Sequence, residues 1–204
     1  MAKRLFDIFW SMMGLTLLAP LLALAALLVK LEDGGPVCFR QVRIGRRGQP
    51  FRMWKFRTMV VDAEAKGPSI TVGRDARITR IGHILRKSKL DEIPQLLNVL
   101  VGEMSLVGPR PEVKRYVDLY SETQMAILHL RPGITDLASI KYRDESEWLA
   151  QSSDPDAMYV NTIMPDKLRI NAAYAAGANL FTDFLVILAT LGLFPVERVR
   201  GWAD

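Results

Sequence analysis

The sequence predicts a mainly α fold with a small β element, arranged as one compact domain behind an N-terminal apolar segment. Three observations predict it. Apolar residues recur at helical spacing in three zones beyond residue 80. Strand-like alternation is confined to the stretch around 37–59. And the first thirty residues hold an uncharged run far too apolar for a loop.

That run, Ile8 to Val29, is 22 residues long. At about 1.5 Å per residue a straight helix of this length reaches roughly 33 Å, enough for a bilayer core. A cleaved signal peptide is disfavoured, since "KLEDGGPVCFRQ" offers no small-x-small cleavage site. Pro20 removes a backbone donor near the middle of the run and predicts a kink. Lys3 and Arg4 precede the run; Lys30, Arg40, Arg43, Arg46 and Arg47 follow it. Basic flanks on both sides suit a hairpin that enters and leaves on the cytoplasmic face, whereas a straight span satisfies only one flank. The residues alone leave both topologies open.

"EDGGPVCF" reads as a turn into a short strand, Val37–Phe39; "IGRRGQPF" is a second turn and "FRMWKFRTM" a half-buried strand. Residues 40–57 carry seven basic side chains and no acid. Residues 1–100 hold 17 Lys/Arg against 8 Asp/Glu, residues 101–204 only 10 against 14. Such a stripe attracts phosphates, whether of nucleic acid, lipid head groups or a phosphorylated small substrate. The single cysteine, Cys38, excludes a disulfide framework, and two distant histidines leave little material for histidine-based metal or triad chemistry.

A polar connector follows over 61–78. Helical patterning returns in "RIGHILRKSKLDEIPQLLNVLVG", where Leu90, Ile93, Leu97 and Leu100 keep helical spacing. "EMSLVGPRPEV" is a loop, "KRYVDLYSETQMAILHL" a helix stopped by "RPGIT", and 154–176 a third helical zone. The run Phe184–Pro195 is short for a span and reads as a core helix; the trailing Arg198, Arg200 and Trp202 also suit a membrane-surface helix.

The carboxylates Asp91 and Glu92 stand at a helix start. Ser88 and Asp91 fit a capping box, and acids in a first turn complement the helix dipole. Other features favour chemistry. Asp91, Gln95 and Asn98 share a face opposite the leucines. "VGPRP" stiffens a loop presenting Arg110, whose guanidinium can grip a phosphate or serve a structural ion pair. No G-x-x-x-x-G-K-S/T or G-x-G-x-x-G motif occurs, so phosphates fall to arginines and a metal. One acid can attack phosphorus while its neighbour binds Mg²⁺. Lys55 and Arg57 suit either phosphate or the membrane surface, and Arg131 either phosphate or a helix C-terminus.

Along nearly its whole length the chain resembles the bacterial sugar transferases, specifically the monotopic phosphoglycosyl transferases. "KRLFD", "GPVCFRQVRIGRRGQPFRMWKFRTM", "LRKSKLDEIPQLLNVLVGEMSLVGPRP" and "RPGIT" carry the resemblance in order. It implies a re-entrant helix-break-helix over residues 1–30, broken near Pro20, and a cytoplasmic catalytic domain over 31–204 with membrane-surface helices, at the bacterial inner membrane. It implies transfer of a phosphosugar from a UDP-sugar to polyprenyl phosphate, with Mg²⁺ as cofactor and UMP released. Asp91 resembles the family's nucleophile and Glu92, with Asp91 beside it, the metal ligand. Arg110, Lys55, Arg57 and Arg131 would face phosphates, and Asp156 matches an acid near the site. Membrane lipid is an expected partner, nucleic acid is not, and a homo-oligomer stays open. The rival classes are a membrane-anchored lipid- or nucleic-acid-binding protein and a UDP-sugar hydrolase. Two departures stand out: Ala19 precedes Pro20 where the family often has Ser, and Asp136 follows "RPGIT" where it usually has Gly. If that position needs positive φ, Asp carries a cost there; otherwise it bears on substrate choice.

Overall fold

The computed structural model describes residues 1–66, 72, 73 and 75–195; Arg198, Arg200 and Trp202, read above as a membrane-surface tail, lie outside them. Helix α1 (Ala2–Asp33) comes first and ends at Gly34, whose φ of 73° lets its N–H close back on the Lys30 carbonyl. It is the one helix among the described residues long and apolar enough to cross a membrane. Pro20 lies inside it, and the helix is not interrupted there, so the break expected near Pro20 is absent as an end of one helix and start of another. Leu17, Leu21, Leu24, Leu27, Leu28 and Leu31 are exposed. That uncovered apolar face fits a membrane anchor.

Both ends of α1 attach to the rest of the molecule. At the start, Lys3 pairs with Asp183 and donates to the Val107 carbonyl at 3.1 Å. Arg4 donates to the Val99 and Leu100 carbonyls, and Asp7, fully buried, accepts from Ser105 Oγ and the Leu106 N–H at 3.1 Å each. "KRLFD" is thus a docking sequence: Lys3 and Arg4, the basic flank before the apolar run, bond to the body of the protein. At the far end, Ala25 and Val29 pack with Phe56 and Leu85, and Asp33 is gripped by Arg57.

Strands β1 (Cys38–Ile44) and β2 (Pro50–Phe56) form an antiparallel hairpin in register Cys38↔Phe56 to Ile44↔Pro50. The connecting 3-10 turn, Arg46–Gly48, has Arg47 and Gly48 at positive φ. The hairpin was legible, though β1 runs farther than Val37–Phe39. Helix α2 (Arg80–Ser88) is capped by Thr79, whose side chain accepts from Gly82 N–H at 3.0 Å. Ser88 then closes α2, donating back to the Ile84 carbonyl at 2.9 Å. The capping box expected from Ser88 and Asp91 is therefore not formed. Lys89 (φ 58°) turns the chain into a 3-10 helix, Leu90–Gln95, without a side-chain cap, and α3 (Leu96–Val101) continues it. Pro94 lacks the N–H that an α-helical turn would use here.

Strand β3 (Ser105–Val107) pairs in parallel with β4 (Gly133–Thr135), both of which had read as loop. Between them lie α4 (Lys114–Val117) and α5 (Glu122–Met125); after them come α6 (Leu137–Lys141), α7 (Glu145–Ala150), α8 (Pro155–Met158), α9 (Met164–Gly177) and α10 (Leu180–Thr190). A π-helical turn, Tyr159–Ile163, joins α8 to α9. The largest core gathers Val107, Tyr116, Leu149, Ile163, Ile170 and Val186; Phe51, Met53, Val99 and Met104 form a second beneath the hairpin. In α10 Val186 and Ala189 are buried while Phe181 and Phe184 stay exposed, so the segment is amphipathic rather than wholly core. The whole is mainly helical with two small sheets.

Candidate active site

The Asp91 segment is inverted relative to an ordinary surface helix. Its polar strip is the buried side: Asp91 is 7% exposed, Gln95 1% and Asn98 0%, whereas Leu97 is 40% and Val101 72% exposed. The strip faces the β hairpin. Asn98 takes the Trp54 N–H on Oδ1 and donates Nδ2 to the Arg52 carbonyl, each at 2.9 Å. These two bonds substitute for a missing third strand and lock the acid-bearing segment to β2. The Asp91–Gln95–Asn98 face read from spacing is real, and with it buried Leu97 is left exposed while Leu96 is buried beside it.

Glu92 receives Lys55 from β2 at 2.9 Å and both guanidinium nitrogens of Arg110, one at 3.1 Å. Burial alone would raise its pKa, but Arg110 and Lys55 pull Glu92 well below the ordinary carboxylate range. Asp91 goes the other way. Burial pushes its carboxyl up, the Glu92 charge adds to this, and Lys55, Arg86 and Lys89 oppose it. Asp91 Oδ1 is buried and has no hydrogen-bond partner among the described residues. Two neighbouring carboxylates are thus driven apart in pKa, the pattern of groups with separate tasks.

Arg110 reaches Glu92 because two loops are zipped behind it. Gly108 N–H donates to the Thr135 carbonyl at 3.1 Å and Gly133 N–H to the Pro109 carbonyl at 3.0 Å. A Cβ on Gly133 would sit 2.1 Å from the Gly108 nitrogen, and one on Gly108 2.4 Å from the Arg131 carbonyl oxygen. "VGPRP" and "RPGIT" therefore need glycine where they cross. Arg43 adds a brace, donating to the Pro111 carbonyl at 3.2 Å.

Of the residues singled out from sequence, Asp91, Glu92, Lys55 and Arg110 come together. Arg57 is a structural clamp in this arrangement: its side chain bonds Asp33 and the Pro36 carbonyl at the end of α1. Asp156 is held by Arg115 at 2.5 Å and the Tyr116 hydroxyl at 2.8 Å. The Arg131 side chain, half-buried, has no hydrogen bond or ion pair among the described residues, and its backbone abuts Gly108. Sequence reading missed Arg86. Its Nε donates to Thr58 Oγ1 at 2.8 Å; burial lowers its pKa while Asp91 is the first charge opposing that. It lies five residues before Asp91 in the basic last turn of α2, inside a stretch that sequence reading took only as helical patterning.

Among the described residues no three His, Cys, Asp or Glu side chains cluster as a metal cage. Asp91 has a buried unpartnered oxygen that a Mg²⁺ completed by water and substrate phosphate could take, whereas both Glu92 oxygens accept from Lys55 or Arg110, so Glu92 would join such a shell only by sharing or exchanging those contacts.

Comparison with known proteins matches residues 1–195 to the family described as bacterial sugar transferase. The chain is 34% identical over 192 residues to a UDP-N-acetylgalactosamine-undecaprenyl-phosphate N-acetylgalactosaminephosphotransferase of Aeromonas hydrophila, covering 93% of this chain and 42% of that protein. It is 35% identical over 217 residues to the exopolysaccharide production protein ExoY of Rhizobium meliloti, covering 97% and 87%. To a UDP-glucose:undecaprenyl-phosphate glucose-1-phosphate transferase of Caulobacter vibrioides it is 46% identical over 144 residues, covering 68% and 53%. The chain thus spans only about half the length of some relatives and most of others. With a match that runs from residue 1 to residue 195, the chain belongs to the bacterial sugar transferase family.

Proposed function

We propose that this chain transfers a phosphosugar from a UDP-sugar to polyprenyl phosphate through a covalent Asp91 intermediate, as an early membrane step of polysaccharide assembly. The carrying observation is the Asp91–Glu92 pair: a buried carboxylate with one unpartnered oxygen beside one already neutralised by Arg110 and Lys55. The activities by which the relatives are named support the substrate classes.

In the first step an Asp91 oxygen forms a bond to the β-phosphorus. The bond from that phosphorus to the bridging oxygen breaks, and UMP leaves with the electron pair. In the second, a phosphate oxygen of the polyprenyl phosphate attacks the same phosphorus and the bond to Asp91 breaks, restoring the carboxylate. Arg110 and Lys55 hold phosphate oxygens as charge moves between the two sides. Glu92 keeps those cations oriented before substrate arrives, and the raised affinity of Asp91 for a proton is the cost of placing a nucleophile in a poorly solvated site. Glu92 and Asp91 would hold Mg²⁺, which, when bound, neutralises the diphosphate oxygens.

The proposed setting is the cytoplasmic face of the inner membrane, with α1 dipping into one leaflet. What supports this is that Lys3, Arg4 and Asp7 at one end and Asp33 at the other are bonded to the same body. A spanning helix would carry one set across the bilayer.

The test is a panel of UDP-sugars with Mg²⁺, scored for UMP and, with polyprenyl phosphate added, for a lipid-linked diphosphate sugar. UMP with that product supports transfer. UMP with free sugar phosphate alone indicates a hydrolase, and no UMP from any donor indicates a binding protein.

A further inference from the structure

We propose that Asp136 is the positioning residue for Arg110, fixing through one backbone hydrogen bond the direction in which the guanidinium enters the site. In Pro109–Arg110–Pro111 neither proline has an N–H, so Arg110 supplies the only backbone donor of the run. The structure directs that donor to Asp136 Oδ2 at 2.7 Å. Asp136 is 1% exposed, so the bond is shielded from competing water.

The same carboxylate is shared. Oδ1 accepts the Ser139 N–H and so caps α6, while Asn171 Nδ2 from α9 lies 3.5 Å from Oδ2. One acid thereby ties the Arg110 loop, the start of α6 and the middle of α9 together. Its backbone is extended (φ −156°, ψ 171°), so no positive φ is required and Asp carries no conformational penalty there. Asp136 thus places a buried acceptor under the Arg110 backbone. Asp136 does not approach the reacting atoms in this account; it acts through Arg110.

The competing explanation is that Asp136 is merely an N-cap. Asp136→Ser separates the two, because serine caps a helix about as well as aspartate but its single short hydroxyl cannot serve both Ser139 and Arg110. The kinetic readout rests on the transferase reading; the exchange readout does not. Full-length protein in nanodiscs is measured for melting temperature, for amide hydrogen exchange in peptides covering 108–112, and for kcat/KM of UMP release. Expected are a cooperative unfolding transition with the melting temperature lowered only by the loss of one buried hydrogen bond, faster exchange at Arg110, and a fall in kcat/KM of about 10- to 100-fold, the scale of a misplaced binding group. Unchanged exchange, or faster exchange with unchanged kcat/KM, overturns the proposal. If Asp136→Ser fails to fold, Asp136→Asn takes its place: its one acceptor oxygen must abandon one of the two N–H donors, and the same exchange criterion decides. If wild-type protein releases UMP from no donor, the transferase reading falls, and exchange at Arg110 alone decides whether Asp136 positions it.

Discussion

Asp91 and Glu92 are consecutive in the chain, yet their carboxyl groups occupy opposite electrostatic environments: Glu92 is clasped by Arg110 and Lys55, and Asp91 keeps a buried oxygen that no described group satisfies. The division follows from direction. Glu92 points at cations delivered by β2 and by the loop after β3, while Asp91 shares the inward strip with Gln95 and Asn98.

Replacing Asp91 tests that division through stability. Its folded pKa is raised above the unfolded value, so the protonated fold is favoured and ionised Asp91 opposes folding as pH rises through the folded value. Asp91→Asn should therefore abolish UMP release yet raise the melting temperature at pH 7 to 8, with the gain vanishing below about pH 4. Scanning calorimetry across pH checks it. Wild-type activity should also fall toward acid with a midpoint above the ordinary aspartate value of about 3.9, as the Asp91 nucleophile takes up a proton.

Glu92→Gln should do the reverse. The folded pKa of Glu92 is depressed, so its contribution is fully present above the unfolded value of about 4.3 and is lost as pH falls through the lower folded one. Removing the charge leaves Arg110 and Lys55 without their counter-ion, and a loss of about 3 kcal/mol is expected by denaturant unfolding at neutral pH. A loss under about 0.5 kcal/mol, the range of ordinary surface changes, would remove Glu92 from its proposed role.

The loop crossing makes a steric prediction. Gly133→Ala places a methyl 2.1 Å from the Gly108 nitrogen, so β3 and β4 must separate. Loss of about 3 kcal/mol or more and of UMP release are expected together. Gly177→Ala, where a Cβ meets nothing within 4 Å, is the control and should leave activity unchanged.

Topology is open to labelling. Single cysteines at residues 2 and 33, in a background with Cys38 replaced, should both resist an impermeant thiol reagent applied outside intact cells and both react once the membrane is opened. Labelling of residue 2 alone from outside would contradict the docking of Lys3, Arg4 and Asp7 onto the same body as Asp33.

Much of this arrangement was legible. The β hairpin came from alternation in "FRMWKFRTM", and the shared face of Asp91, Gln95 and Asn98 from helical spacing, which did not say that this face is the buried one. The capping box was not, because Ser88 has two local uses and pattern cannot say that it closes α2 rather than opening the next turn. The β3–β4 pair escaped because each strand has three residues and the partners are 28 positions apart, so no local signal marks them. Arg57, expected to face phosphate or the membrane surface, bonds Asp33 and the Pro36 carbonyl, and Arg86, which sequence reading did not single out, lies near Asp91. Which cation reaches an acid depends on how α1 and α2 dock, and that is set by tertiary packing of Ala25, Val29, Phe56 and Leu85.

The central claim is that Asp91 carries the phosphosugar. Incubation with a UDP-sugar and Mg²⁺, without polyprenyl phosphate, followed by rapid acid quench and peptide mass spectrometry measures it directly. The account predicts a phosphosugar mass added to the peptide containing Asp91, absent in Asp91→Asn and discharged when polyprenyl phosphate is supplied. Steady UMP release with no adduct, or an adduct on another residue, would contradict it.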